Sequence, residues 1–117
     1  MKFSPGRIVG SFVIELEKRG DDRGYFARTW CEREFAEHGL NTRIAQVNVG
    51  VSTRAGTLRG MHFQIAPHAE VKIVRCSRGA IYDVALDLRP DSPTFRQWHG
   101  CELTYMEIGR ASCRERV

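Results

Sequence analysis

Turn signals cut this chain into short pieces. They fall at Gly10, Gly20-Asp21-Asp22-Arg23-Gly24, Gly39, Arg54-Ala55-Gly56, Pro67, Arg78-Gly79 and Arg89-Pro90-Asp91-Ser92-Pro93. Gly, Pro and Asp at such positions favour reversals of the backbone, and the spacing between them suits strands better than helices. Ile8-Val9 and Phe12 to Leu16 read as extended pieces around Gly10, and Tyr25 to Trp30 as a strand. Glu32 to His38 is the one short helix, with Phe35 and Ala36 inward and Gly39 closing its end. Arg43 to Val51 alternates, with Ile44, Gln46 and Asn48 on one face and Ala45, Val47 and Val49 on the other; Thr57 to Gln64 follows. Val71 to Cys76 and Ala80 to Leu88 are expected to form a hairpin about Arg78-Gly79, and Gln97 to Thr104 a final strand. Many short strands and one helix imply an all-β antiparallel sandwich or barrel.

With 117 residues the chain is one domain, large enough for a core. No apolar run reaches the roughly 18 residues of a membrane span, and the first residues lack the apolar core of a secretory signal, so a cytoplasmic protein is expected. The net charge of +4 comes from arginines scattered singly through strands and turns, which fits an anionic small molecule better than nucleic acid. Cys31, Cys76, Cys101 and Cys113 form no C-x-x-C pair and read as free thiols. No metal site is expected: His62-Phe63-Gln64 offers one histidine where a metal barrel would offer two, and His38, His68 and His99 fall on separate segments.

The last eleven residues, 107–117, break the pattern. They show no strand alternation, and Gly109 near their start argues against a helix. The string reads as the translation of a sequencing adapter, so the domain is expected to occupy 1–106 and the tail, with Cys113, to be non-native.

Chemistry concentrates in Gly56-Thr57-Leu58-Arg59-Gly60-Met61-His62-Phe63-Gln64 and Glu70-Val71-Lys72. An imidazole can remove a proton, an ammonium can stabilise an enolate oxygen, and an arginine can hold a phosphate in a bidentate grip. The set points to proton abstraction beside a carbonyl. Period two places Leu58, Gly60, His62 and Gln64 on one face and Arg59, Met61 and Phe63 on the other. Across the expected hairpin, Lys72, Val74, Asp83 and Ala85 share a face. A structural Lys72–Asp83 ion pair, and a histidine with no catalytic part, account for the same pattern.

Arg23-Gly24-Tyr25-Phe26, Gln46-Val47-Asn48, the Gly56–Gln64 run, Glu70-Val71-Lys72, Gly79-Ala80-Ile81-Tyr82-Asp83-Val84, Asp87-Leu88-Arg89-Pro90 and Ser92-Pro93-Thr94-Phe95 resemble, in order, the dTDP-4-dehydrorhamnose 3,5-epimerase family. The resemblance runs from about Val13 to Leu103. It implies a cupin-type jelly-roll barrel with one short helix, a homodimer that exchanges N-terminal strands, and no metal or other cofactor. The implied reaction inverts C3 and C5 of a dTDP-4-keto-6-deoxy sugar in dTDP-L-rhamnose formation. By matched position His62 is the general base, Lys72 the cation for the enolate, and Asp83 a weaker candidate that orients His62 or pairs with Lys72. Arg59 and Arg23 hold the diphosphate, Gln46 and Asn48 line the site, and Phe26 packs near the nucleotide. Arg28 stands where the family often has Glu and bears on which sugar or nucleotide is preferred.

The family's acid tyrosine, a further histidine and the aspartate paired with the base lie beyond Met106, and Tyr105 falls too early to be that tyrosine. The C-terminal strands are thus expected to be missing and the fragment inactive. A non-catalytic nucleotide-sugar-binding barrel, and an epimerase of one centre or a ketoisomerase on a related nucleotide 4-keto sugar, remain as alternatives. A metal-dependent cupin is disfavoured by its ligand count.

Overall fold

The structure, a computed structural model, describes residues 1–105 and the backbone of 108–111. The elements run β1 (Lys2–Pro5), β2 (Phe12–Glu15), β3 (Arg19–Asp21), β4 (Gly24–Phe26), α1 (Glu32–Glu37), β5 (Ala80–Leu86), β6 (Trp98–Thr104) and β7 (Ile108–Ala111). Every pairing among the described strands is antiparallel: β1-β2-β7, β3-β4 and β5-β6. No helix among the described residues is long and apolar enough to cross a membrane.

The core begins where α1 meets the first sheet. Ile14 of β2 and Phe35 of α1 are buried together, with Met1, Phe3, Phe12 and Leu40 packed around them. Phe3 meets the Phe35 ring edge-on at 5.4 Å and stacks on His38 at 4.0 Å. Burying a side chain of the size of Phe35 contributes about 2–3 kcal/mol, more than a six-residue helix can supply from its own hydrogen bonds. Glu32 and Glu34 sit in its first turn, where the helix dipole favours a negative charge. Gly39, at φ +68°, ends it by returning its N–H to the Ala36 carbonyl at 2.9 Å. The helix lies where the sequence puts it, but Ala36 is exposed rather than inward.

A second anchor ties the β1–β2 turn to the loop after β5. Asp87 is buried and accepts from Arg89 Nε and Nη2, both at 2.8 Å, from Ser92 Oγ at 2.6 Å and from Thr94 Oγ1 at 2.7 Å. Arg89 Nη2 also donates to the Val9 carbonyl at 2.8 Å, and the Val9 N–H donates to Thr94 Oγ1 at 3.2 Å. Ile8-Val9, expected as extended, is therefore a turn: the Ser11 N–H and Oγ both donate to the Ile8 carbonyl, and Ile8 is buried.

Other expectations change for one reason, that a strand needs a partner. Lys2–Pro5, assigned no element from the sequence, is β1 because it pairs with β2 in the register Phe3↔Ile14. Gly20–Gly24, read as one turn, is mostly the β3–β4 hairpin, which stops at Phe26 rather than running to Trp30. Arg43 to Val51 and Thr57 to Gln64 form no ladder among the described residues, and Val71 to Cys76 keeps one isolated bridge at Ile73. The hairpin expected about Arg78-Gly79 is replaced: β5 pairs with β6, placing Asp83 opposite Cys101. β7 lies in the stretch expected to lack strand structure, with Phe12 opposite Ala111. The rest of that tail, 107 and 112–117, lies outside the described residues.

Candidate active site

Arg59, His62, Lys72 and Asp83 line one cavity of about 260 Å³, together with Glu70 and an apolar wall that includes Met61, Phe63, Val74, Val84 and Leu86. Asp83 and its neighbours come from β5, whose ladder with β6 makes it the most regular strand of the site. Lys72 and Val74 reach the cavity from the segment beside it, two residues apart and so on one side of an extended backbone. Lys72, Val74, Asp83 and Ala85, expected to share a face, all line the cavity, but so do Val84 and Leu86, and the hairpin that would have set that face is replaced by the β5–β6 ladder.

Arg59, Gly60, Met61, His62 and Phe63 all contribute to the cavity lining, as do the consecutive residues Asp83, Val84, Ala85 and Leu86 of β5. Between Arg59 and His62, Gly60 has φ +117°, a conformation L side chains rarely adopt, so the backbone there calls for glycine. A Cβ built on Gly60 would meet His62 Nδ1 at 3.7 Å, an ordinary contact, so the positive φ rather than lack of space is what favours glycine. The Arg59 guanidinium donates from Nη2 to the Val51 carbonyl at 2.7 Å.

Charge in the cavity is balanced. The Arg59 and Lys72 cations face the Glu70 and Asp83 carboxylates, and Glu70 Oε1 lies 2.9 Å from Lys72 Nζ. An imidazole, an ammonium and an apolar wall can together remove a proton beside a carbonyl and hold the oxygen that gains charge. Among the described residues, no group of three or more His, Cys, Asp or Glu side chains is placed to hold a metal ion.

The remaining expected site residues do not line this cavity. Arg23 sits at the tip of the β3–β4 hairpin, clasping Asp21 through Nε and Nη2, and this guanidinium holds the Asp21 carboxyl below its ordinary range. Phe26, at the hairpin's end, is 77% exposed. Arg28 donates to Glu34 at 2.7 Å. The Met1 amino group first, and Arg28 after it, lower the Glu34 carboxyl to about 2. Gln46 and Asn48 are exposed on the unladdered 43–51 segment. Glu70, given no role of its own from the sequence, also lines the cavity. Its parity with Lys72 was the available signal.

A family profile described as dTDP-4-dehydrorhamnose 3,5-epimerase matches residues 5–108. A dTDP-4-dehydrorhamnose 3,5-epimerase of Sinorhizobium fredii is 44% identical over 104 residues, covering 89% of this chain and 53% of its own. The crystal structure of the Bacillus anthracis enzyme of the same name, with TDP and PPi bound, superposes with TM-score 0.85 at 38% identity, over 94% of this chain and 67% of that one. The dTDP-6-deoxy-D-glucose-3,5-epimerase of Legionella pneumophila, in complex with dTDP-4-keto-L-rhamnose, gives TM-score 0.80 at 32% identity, over 94% and 61%. These neighbours have the cupin jelly-roll fold, which is the fold of the present chain. The chain spans about half the length of the curated relatives it matches.

Proposed function

Because this chain belongs to the dTDP-4-dehydrorhamnose 3,5-epimerase family, we propose that it carries the base-and-cation part of an epimerase site acting on a dTDP-4-keto-6-deoxy sugar. The observation that carries the reading is the shared cavity of His62, Lys72, Asp83 and Arg59. The His62 imidazole takes the proton from the carbon beside the C4 ketone, and the C–H electron pair moves to the carbonyl oxygen as an enolate. The Lys72 ammonium holds that oxygen. An acid returns a proton to the opposite face, and the pair of steps inverts the centre. Asp83 orients the base or the lysine across the cavity, and Arg59 grips the diphosphate.

The acid and the closing strands belong to a C-terminal portion that follows residue 106, with 107–117 a non-native tail. Two facts support this: the family match stops at residue 108, and the relatives are about twice as long. A third is the state of the extended segments. Val47, Val49 and Leu58 are 85%, 84% and 92% exposed, values expected of barrel strands whose covering layer is absent. In the assembled protein a second copy covers part of this surface as a homodimer. Arg23, Phe26 and Arg28, outside the cavity here, reach the nucleotide in that assembly, and Gln46 and Asn48 line the site once their strand is paired. The protein acts in the cytoplasm, with no metal or other cofactor.

The test compares two polypeptides given dTDP-4-keto-6-deoxyglucose. The 117-residue chain is expected to form no epimerised product, and the chain completed to the length of its relatives is expected to form it. Turnover by the short chain would refute the division of the site. Tight binding without turnover by the completed chain would favour a binding module.

A further inference from the structure

Glu70 reaches into the same cavity as His62 and Lys72, and its carboxylate lies 2.9 Å from the Lys72 ammonium. Two residues apart on an extended backbone, the two side chains point the same way. The pair differs from an ordinary surface ion pair in its placement, because both residues line the cavity that His62, Val74 and Leu86 also line. Its two side chains are 42% and 44% exposed, so solvent screens it and its value for stability is small. Geometry is what the contact can supply.

We propose that Glu70 is the positioning residue for Lys72, aiming the ammonium across the cavity at the substrate carbonyl oxygen. The inference rests on the epimerase reading and deepens it. A lysine side chain has four rotatable bonds and loses considerable rotamer freedom when it must hold one direction. Its ammonium carries three donors in a fixed tetrahedral arrangement. One donor directed at Glu70 Oε1 fixes the directions of the other two, so the lysine is ordered before substrate arrives. A carboxylate beside the ammonium also opposes the negative charge that grows on the enolate. The arrangement gives up some field strength for direction, and that makes the acceptor more important than its charge. Glutamine, which keeps an oxygen acceptor without the charge, should therefore replace Glu70, and alanine should not.

Two measurements test this. In the 117-residue chain, the two Hε protons of Lys72, assigned through Lys72→Arg, should have distinct NMR shifts. They should collapse to one shift in Glu70→Ala and stay distinct in Glu70→Gln. In the completed protein, Glu70→Ala should lower kcat about 10- to 100-fold, with KM changed less than about threefold. Glu70→Gln should stay within about threefold of the parent in both. Unchanged Lys72 Hε shifts in Glu70→Ala, or equal loss in both variants, would overturn the proposal, as would faster turnover in Glu70→Ala. A completed parent protein that does not epimerise at all would overturn the epimerase reading instead, and the NMR comparison would still decide the geometry.

Discussion

His62→Ala in the completed protein is expected to slow epimerisation by about 10²- to 10⁴-fold, the usual contribution of a positioned general base. Binding of dTDP should change by less than about threefold, because the imidazole acts on the sugar carbon and not on the nucleotide. The cavity explains why the loss should be large. Glu70 and Asp83 are the other groups facing it that could accept a proton, and Glu70 is engaged with Lys72. Kinetic analysis should show the loss in kcat. A His62→Ala enzyme with parental kcat would place the base elsewhere.

Asp87→Ala is expected to cost about 3–5 kcal/mol, the range for removing one partner of a buried ion pair. The substitution strands a guanidinium and two hydroxyls: Arg89, Ser92 and Thr94 all donate to this one carboxylate, whose side chain is 1% exposed. It also loosens the Val9 turn, which Arg89 and Thr94 hold directly. For a domain of this size the melting temperature should fall by more than about 10 °C.

The same carboxylate makes stability depend on acid. Arg89 holds the Asp87 carboxyl far below its ordinary range, with Ser92 and Thr94 adding to the effect against the opposing cost of burial. A depressed folded value means the unfolded chain binds the proton first. The stabilisation is complete above the unfolded value of about 3.9 and is lost as pH falls from there toward the folded value. Thermal melts from about pH 6 down to about pH 2 should show a constant gap above about pH 4 and, below it, the parent converging toward Asp87→Ala. A gap that stays constant across that range would show that the carboxylate charge is not what holds the two loops.

Local signals in the sequence were reliable where a single residue decides the backbone. Gly39 after an amphipathic turn ends α1, and Trp98–Thr104 pairs as a strand. Signals that depend on a distant partner were not. Nothing near Ala80 says that it pairs with Thr104 rather than with the preceding segment, and that choice moved the hairpin. The alternation of 43–51 is plain in the sequence, yet alternation describes a strand's faces and cannot supply its ladder. At the site, the identities of Arg59, His62, Lys72 and Asp83 were legible from residue chemistry and resemblance to the family. The face shared by Lys72 and Asp83 was expected through a hairpin that the β5–β6 ladder replaces, so their meeting in one cavity depends on a choice of partner that parity does not make. The hairpin carrying Arg23 and Phe26 stands outside the cavity, which a linear pattern has no means to foresee.

The central claim is that this cavity removes a proton beside a ketone. Its most direct test is solvent exchange: the completed protein, in deuterium oxide, with dTDP-4-keto-6-deoxyglucose, followed by NMR at C3 and C5. The account predicts that solvent deuterium enters at the inverted centres and that His62→Ala abolishes its entry. Epimerised product that keeps its original hydrogens at both carbons would contradict it.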